Sequence, residues 1–89
     1  MIKTITETGY IAVDRAHPEK GLKNYWVGGG QTGTNAQVLT TNIEEFSLEE
    51  SDEYIKMYCC WYNNNHKRQV DFEIMKVERT KTITVNQVI

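Results

Sequence analysis

The sequence predicts a mainly β fold: a small antiparallel sheet of about five strands forming a barrel or sandwich, with a long Gly-rich loop and one short helical turn. Three observations carry this expectation. Several runs alternate apolar with polar residues at period two, the pattern of strands with one buried face. The longest of them are rich in aromatic and β-branched residues, which suit a pleated, half-buried surface. The turn-forming stretch 63–68 separates the two longest of them. The 89 residues, 1–89, are read as one small domain with one core. A compact chain of that length has a radius of gyration of about 12 Å and a net stability of roughly 4–13 kcal/mol.

Residues 2–13 read as the first strand, with Ile5, Ile11 and Val13 in one phase and an interruption at Gly9. Residues 14–36 read as a long irregular connection, because they hold the only proline, Pro18, and five of the six glycines. Residues 37–46 form a weaker strand. Ser47-Leu48-Glu49-Glu50 fits a capping box and predicts a helical turn over 48–52. Residues 54–62 and 69–77 then read as a hairpin joined by the turn-forming stretch 63–68. In its first run Ile55, Met57, Cys59 and Trp61 form the natural core face. In its second run Val70, Phe72 and Ile74 share a face, after which Met75 and Val77 take the opposite phase, as a bulge or a two-sided strand would produce. Residues 80–88 form the last strand. A helix over 48–61 competes with the strand at 54–62, since Tyr54, Tyr58 and Tyr62 recur every four residues. The strand is preferred because Cys59-Cys60-Trp61-Tyr62 is poor helix material and the run at 69–77 needs a partner.

Net charge −2 removes the broad positive field that most binders of nucleic acid or anionic membranes use, so a nucleic-acid partner is not expected. The charge is unevenly placed: 37–53 hold six acids and no base, whereas bases outnumber acids over 54–89. That asymmetry suits contact between copies, and a solvated acidic turn explains it equally well. No run of 18 apolar residues exists and residues 1–6 lack the apolar core of a secretory signal, so the expected location is cytoplasmic, away from membranes. Cys59 and Cys60 are adjacent and are read as reduced thiols. Amino acids encoded by AT-rich codons outnumber those of GC-rich codons, which fits a small protein encoded by a phage or mobile element.

Two candidate sites follow. Tyr25, Trp26, Gly28, Gly29, Gly30, Thr32 and Thr34 combine backbone N–H groups free of side chains, hydroxyls and aromatic rings, a set suited to a nucleotide or another small anion. The segment has neither the Gly-Lys-Ser/Thr of a Walker loop nor the spacing of a dinucleotide fingerprint, and a plain glycine connector accounts for it as well. Tyr54, Lys56, Tyr58 and Tyr62 would project from one face of a strand and form a partner-binding surface, or else pack against a neighbouring element. The acids Glu44, Glu45, Glu49, Glu50, Asp52 and Glu53 offer a second surface for a basic partner. His66, Cys59 and Cys60 lack metal-ligand spacing, and no nucleophile can be paired with a base, so neither a metal, a cofactor nor an enzyme is expected. The leading expectation is a non-enzymatic binding protein that acts through protein–protein contact with an unidentified protein partner, modulating a host factor. The alternative is a small-ligand binder using the Gly-rich loop 25–34. Two open sheet edges also predict a homo-oligomer.

Overall fold

The computed structural model describes residues 1–86. In them run strands β1 (Ile2–Asp14), β2 (Gly21–Val27) and β3 (Thr34–Thr40), helix α1 (Asp52–Asn65) and strand β4 (Phe72–Thr84), with 3₁₀ turns at Gly30–Thr32 and Ile43–Glu45. The strands form one curled sheet in the order β3-β2-β1-β4, each neighbour antiparallel. The fold is mainly β as expected, but the described residues form four strands rather than five, and a full helix lies across the sheet.

The helix is the largest correction. Residues 54–62 are α-helical, so the expected hairpin with 69–77 does not exist. Packing overrides the weak propensity of its Cys, Trp and Tyr residues: Ile55, Tyr58, Cys59 and Tyr62 fall at i, i+3, i+4 and i+7 and pack against the sheet. Ser51, not Ser47, caps it by accepting a hydrogen bond from Glu53 N at 3.2 Å, and Asp52 and Glu53 place negative charge against the positive end of the helix dipole. Ser47 instead accepts from Asn24 N at 2.7 Å. The expected helical turn over 48–52 is absent, since Glu49 pairs with Tyr10 of β1 through both backbone bonds.

Two further differences concern strand boundaries. Residues 14–36 are not one irregular loop, because β2 and the start of β3 lie within them and pair from Gly21↔Thr40 to Val27↔Thr34. The expected strands at 69–77 and 80–88 are parts of a single strand, β4, and residues 87–88 of the second lie outside those described. The register of β4 on β1 runs unbroken from Ile2↔Thr84 to Asp14↔Phe72. The phase change at Met75 and Val77 therefore reflects a two-sided strand, not a bulge: Phe72 and Ile74 pack on one face and Val77 on the other, while Met75 stays exposed.

Both faces are covered because β1 separates two small clusters. On one, Ala12, Leu22 and Ile55 are fully buried beneath Tyr10, Tyr58, Cys59, Tyr62, Phe72 and Ile74. On the other, Ile11 and Val13 pack with Phe46, flanked by Leu48 and Val77. This double burial is confined to the end of β1 from Tyr10 to Asp14. Gly9 marks the boundary: a Cβ there would lie 2.6 Å from the Glu49 carbonyl oxygen, so only glycine lets residues 48–50 cross. N-terminal to it, β1 and β4 leave the body. Thirteen paired residues span about 43 Å, and the molecule measures 54 × 33 × 22 Å with a radius of gyration of 15.6 Å. That radius exceeds the ~12 Å of a compact chain of equal length because a two-stranded ribbon projects from the body.

Candidate interaction surface

The ribbon consists of residues 2–8 of β1 and 78–84 of β4. Directly opposite residues share a face, so one face carries Thr4 beside Thr82 and Thr6 beside Thr80, continued by Thr8 and Thr84. The other carries Lys3 beside Ile83, Ile5 beside Lys81 and Glu7 beside Arg79. Threonine and isoleucine favour the extended conformation through β-branching, which explains a persistent strand without a covering layer. Arg79 ties the ribbon to the body by donating from Nη2 to the Phe46 carbonyl at 2.8 Å. Apolar side chains remain in solvent along it, with Ile2 69%, Ile5 46% and Ile83 42% exposed.

The direction of the backbone groups can be read from two contacts. Met1 and Val85 exchange hydrogen bonds, at 3.2 Å and 2.6 Å, so in the alternating antiparallel pattern the odd residues of β1 point their N–H and C=O groups at β4. Tyr10 exchanges bonds with Glu49, at 2.8 Å and 3.1 Å, so the even residues point the opposite way. The backbone groups of Ile2, Thr4, Thr6 and Thr8 consequently face away from β4. Among the described residues no strand pairs with them, because β2 meets β1 only at Val13↔Gly21. An edge with this polarity is a template for another strand.

The Gly-rich segment is the tip of the β2–β3 hairpin. Gly28 has φ 107° and Gly30 φ 57°, conformations that L side chains rarely adopt, so these glycines make the reversal possible. Gly29 and Gly30 have open space where a Cβ would stand. The other members are divided. Thr32 Oγ1 donates to the Gly29 carbonyl at 2.9 Å, which employs its hydroxyl in the turn. Tyr25 pairs with Ala36 and Trp26 with Asn35, so the two rings lie on opposite faces. Lys23 Nζ sits 5.7 Å from the Tyr25 ring centroid, and the Trp26 indole closes over Gly33. Thr34 pairs with Val27. Nearby, Thr34, Asn35, Gln37, Trp61 and Asn65 line a cleft of about 200 Å³, below the ~300–1,000 Å³ usual for a ligand pocket.

The tyrosine set is likewise divided. On the helix, Tyr58 and Tyr62 lean on the sheet while Tyr54 is exposed, so they do not form the common outward face expected of a strand. Tyr58 Oη donates to Glu49 Oε1 at 3.1 Å, and burial followed by this bond raises its pKa. Tyr62 stacks on His66 at 3.9 Å and meets Phe72 edge-on at 5.6 Å. Lys56 pairs with Asp52 one turn earlier at 3.1 Å. In the acidic segment, Glu45 bonds Lys23 at 3.4 Å and Thr40 Oγ1 at 3.2 Å. Cys59 lies among the core side chains, where burial pushes its thiol up to about 12, whereas Cys60 is exposed. Among the described residues no helix is long and apolar enough to cross a membrane.

The ribbon was not singled out by sequence reading. Its signal is the pair of threonine-alternating runs Thr4-Ile5-Thr6-Glu7-Thr8 and Thr80-Lys81-Thr82-Ile83-Thr84, which leave neither face apolar enough for a core. No family model matches the chain, and neither the search of curated proteins nor that of solved structures found a match.

Proposed function

We propose that this chain is a non-enzymatic binding protein that works by protein–protein contact, and that its contact element is the β1/β4 ribbon. The observation that supports this is the outward-facing row of backbone groups at Ile2, Thr4, Thr6 and Thr8, on a ribbon that carries exposed Ile2, Ile5 and Ile83 away from the body. An uncovered strand edge is costly to keep, because it invites adventitious pairing, and proteins ordinarily blunt or cover it. Residues 2–8 contain no proline and no bulge, and one glutamate is matched by one lysine. The ribbon thus has the features of an edge that pairs rather than one protected from pairing.

The test is site-specific photo-crosslinking in cells. A photoreactive phenylalanine analogue at Ile83 is expected to give discrete protein adducts, and the same group at Ile43, an exposed apolar residue on the body, is expected to give none above background. Adducts from Ile43 with none from Ile83 would move the contact surface to the body and overturn the assignment.

A further inference from the structure

Resting on that contact role, we infer that the partner strand is β1 of a second copy of this chain, added antiparallel about a two-fold axis that passes beside Ile5. Three independent constraints select this arrangement.

The first is backbone polarity. The outward residues of β1 are the even ones, so an added strand must place even residues opposite even residues as hydrogen-bonded pairs. A two-fold axis at Ile5 does this: Thr4 faces the partner's Thr6, Ile2 faces the partner's Thr8, and each pair exchanges both backbone bonds. Every outward N–H and C=O from Ile2 to Thr8 finds a partner.

The second is charge. The same axis sets Lys3 opposite the partner's Glu7, and Glu7 opposite the partner's Lys3, with Ile5 against the partner's Ile5 at the centre. Across the resulting four-stranded sheet, Arg79, Glu7 and the partner's Lys3 alternate in sign along one row. On the other face Thr82, Thr4 and the partner's Thr6 and Thr80 form a continuous threonine row. The corresponding axis on β4, centred on Lys81, sets two lysines against each other.

The third is steric. Glu49 already occupies the edge at Tyr10, so the open edge of β1 lies N-terminal to that residue. Moving the axis one residue towards the body, to Thr6, would bring the partner's Ile2 against Tyr10 and collide with Glu49. Moving it the other way, to Thr4, sets Lys3 against Ile5 and loses the pairing of Lys3 with Glu7. With the axis at Ile5 the edge from Ile2 to Thr8 pairs with the same edge of a second copy, which makes the pair an isologous dimer.

The experiment is sedimentation equilibrium up to ~1 mM, since a contact of this small area is weak, combined with disulfide mapping in a Cys60→Ser background. The intact chain is expected to show a monomer–dimer equilibrium. Thr6→Pro is expected to keep the β4 ladder, because the Thr6 N–H points outward, yet to weaken the dimer about tenfold or more by removing two interchain bonds. Ile5→Cys is expected to form a disulfide with its own copy, and Lys3→Cys is not, its mate lying about four residues away along the paired strand. A mixture of Lys3→Cys with Glu7→Cys is expected to form the mixed disulfide. A chain that stays monomeric throughout the range, a dimer indifferent to Thr6→Pro, or a Lys3→Cys that self-links better than Ile5→Cys would each overturn the inference. Discrete photo-adducts of other proteins at Ile83 in a chain that stays monomeric would overturn the dimer and leave the contact role standing.

Discussion

Cys59 shows how a single group couples the fold to pH. It sits beside Ala12, Leu22 and Ile55, and burial raises its thiol to about 12 from an ordinary value of 9.0. A thiol whose folded pKa exceeds its unfolded pKa contributes stability that is full below about pH 9 and is lost as pH rises towards 12. Tyr58 acts in the same direction, because burial and its bond to Glu49 raise its pKa above 10.0. Thermal unfolding midpoints are therefore expected to be flat between pH 7 and 8.5 and to fall above pH 9, with a shallower fall in Cys59→Ala. Cys60, being exposed, is expected to react with a thiol reagent in the native protein, whereas Cys59 reacts only after denaturant is added. Equal reactivity of both thiols in the native state would show that the helix does not cover Cys59.

The elements were unevenly legible, for identifiable reasons. β1 was recognised with the phase of Ile11 and Val13, which alternate cleanly, but the expected interruption at Gly9 is absent, since the strand and its register on β4 run through that residue. Helix α1 was misread as a strand because on a helix short enough to depend on packing, the seam of Ile55, Tyr58, Cys59 and Tyr62 decides and the propensity of Cys, Trp and Tyr does not. The capping box at Ser47 was a false start: Ser47 is drawn to Asn24, and the effective cap is four residues later. Ser51→Ala is accordingly expected to destabilise the domain by about 1 kcal/mol, a fall in Tm of ~4–8 °C, since it frees the Glu53 N–H. Ser47→Ala should leave helix content unchanged and disturb the contact of residue 47 with β2. Matched helix loss in both variants, followed by circular dichroism, would mean that the start of the helix lies elsewhere. β2 was hidden because Gly21, Gly28 and Gly29 bracket it, and glycine density in so short a segment outweighed the alternation within it. Of the candidate sites, the glycines lie at the tip of the β2–β3 hairpin rather than in a long irregular connection, and the tyrosines do not share one outward face, because spacing by four on a helix turns two of them inward.

At the scale of the molecule, the departure from compactness is itself informative. A body held by two clusters of three fully or nearly buried side chains has little core to spare, yet the chain commits residues 2–8 and 78–84 to a ribbon that adds almost nothing to that core. Sequence reading led to an expectation of self-association from open sheet edges in general terms, which is a proposal here. What it lacked was which edge, and that depended on knowing that 54–62 is a helix and that β4 runs its full length against β1. The proposed dimer makes the alternation along β1 measurable by amide hydrogen exchange, residue by residue, as a function of protein concentration. Amides of Lys3, Ile5 and Glu7 bond to β4 within one chain and are expected to exchange at rates independent of concentration, whereas those of Thr4, Thr6 and Thr8 are expected to become protected as concentration rises through the dimer range. Fast exchange of the three threonine amides at every concentration, while the odd-numbered amides remain protected, would contradict pairing along this edge.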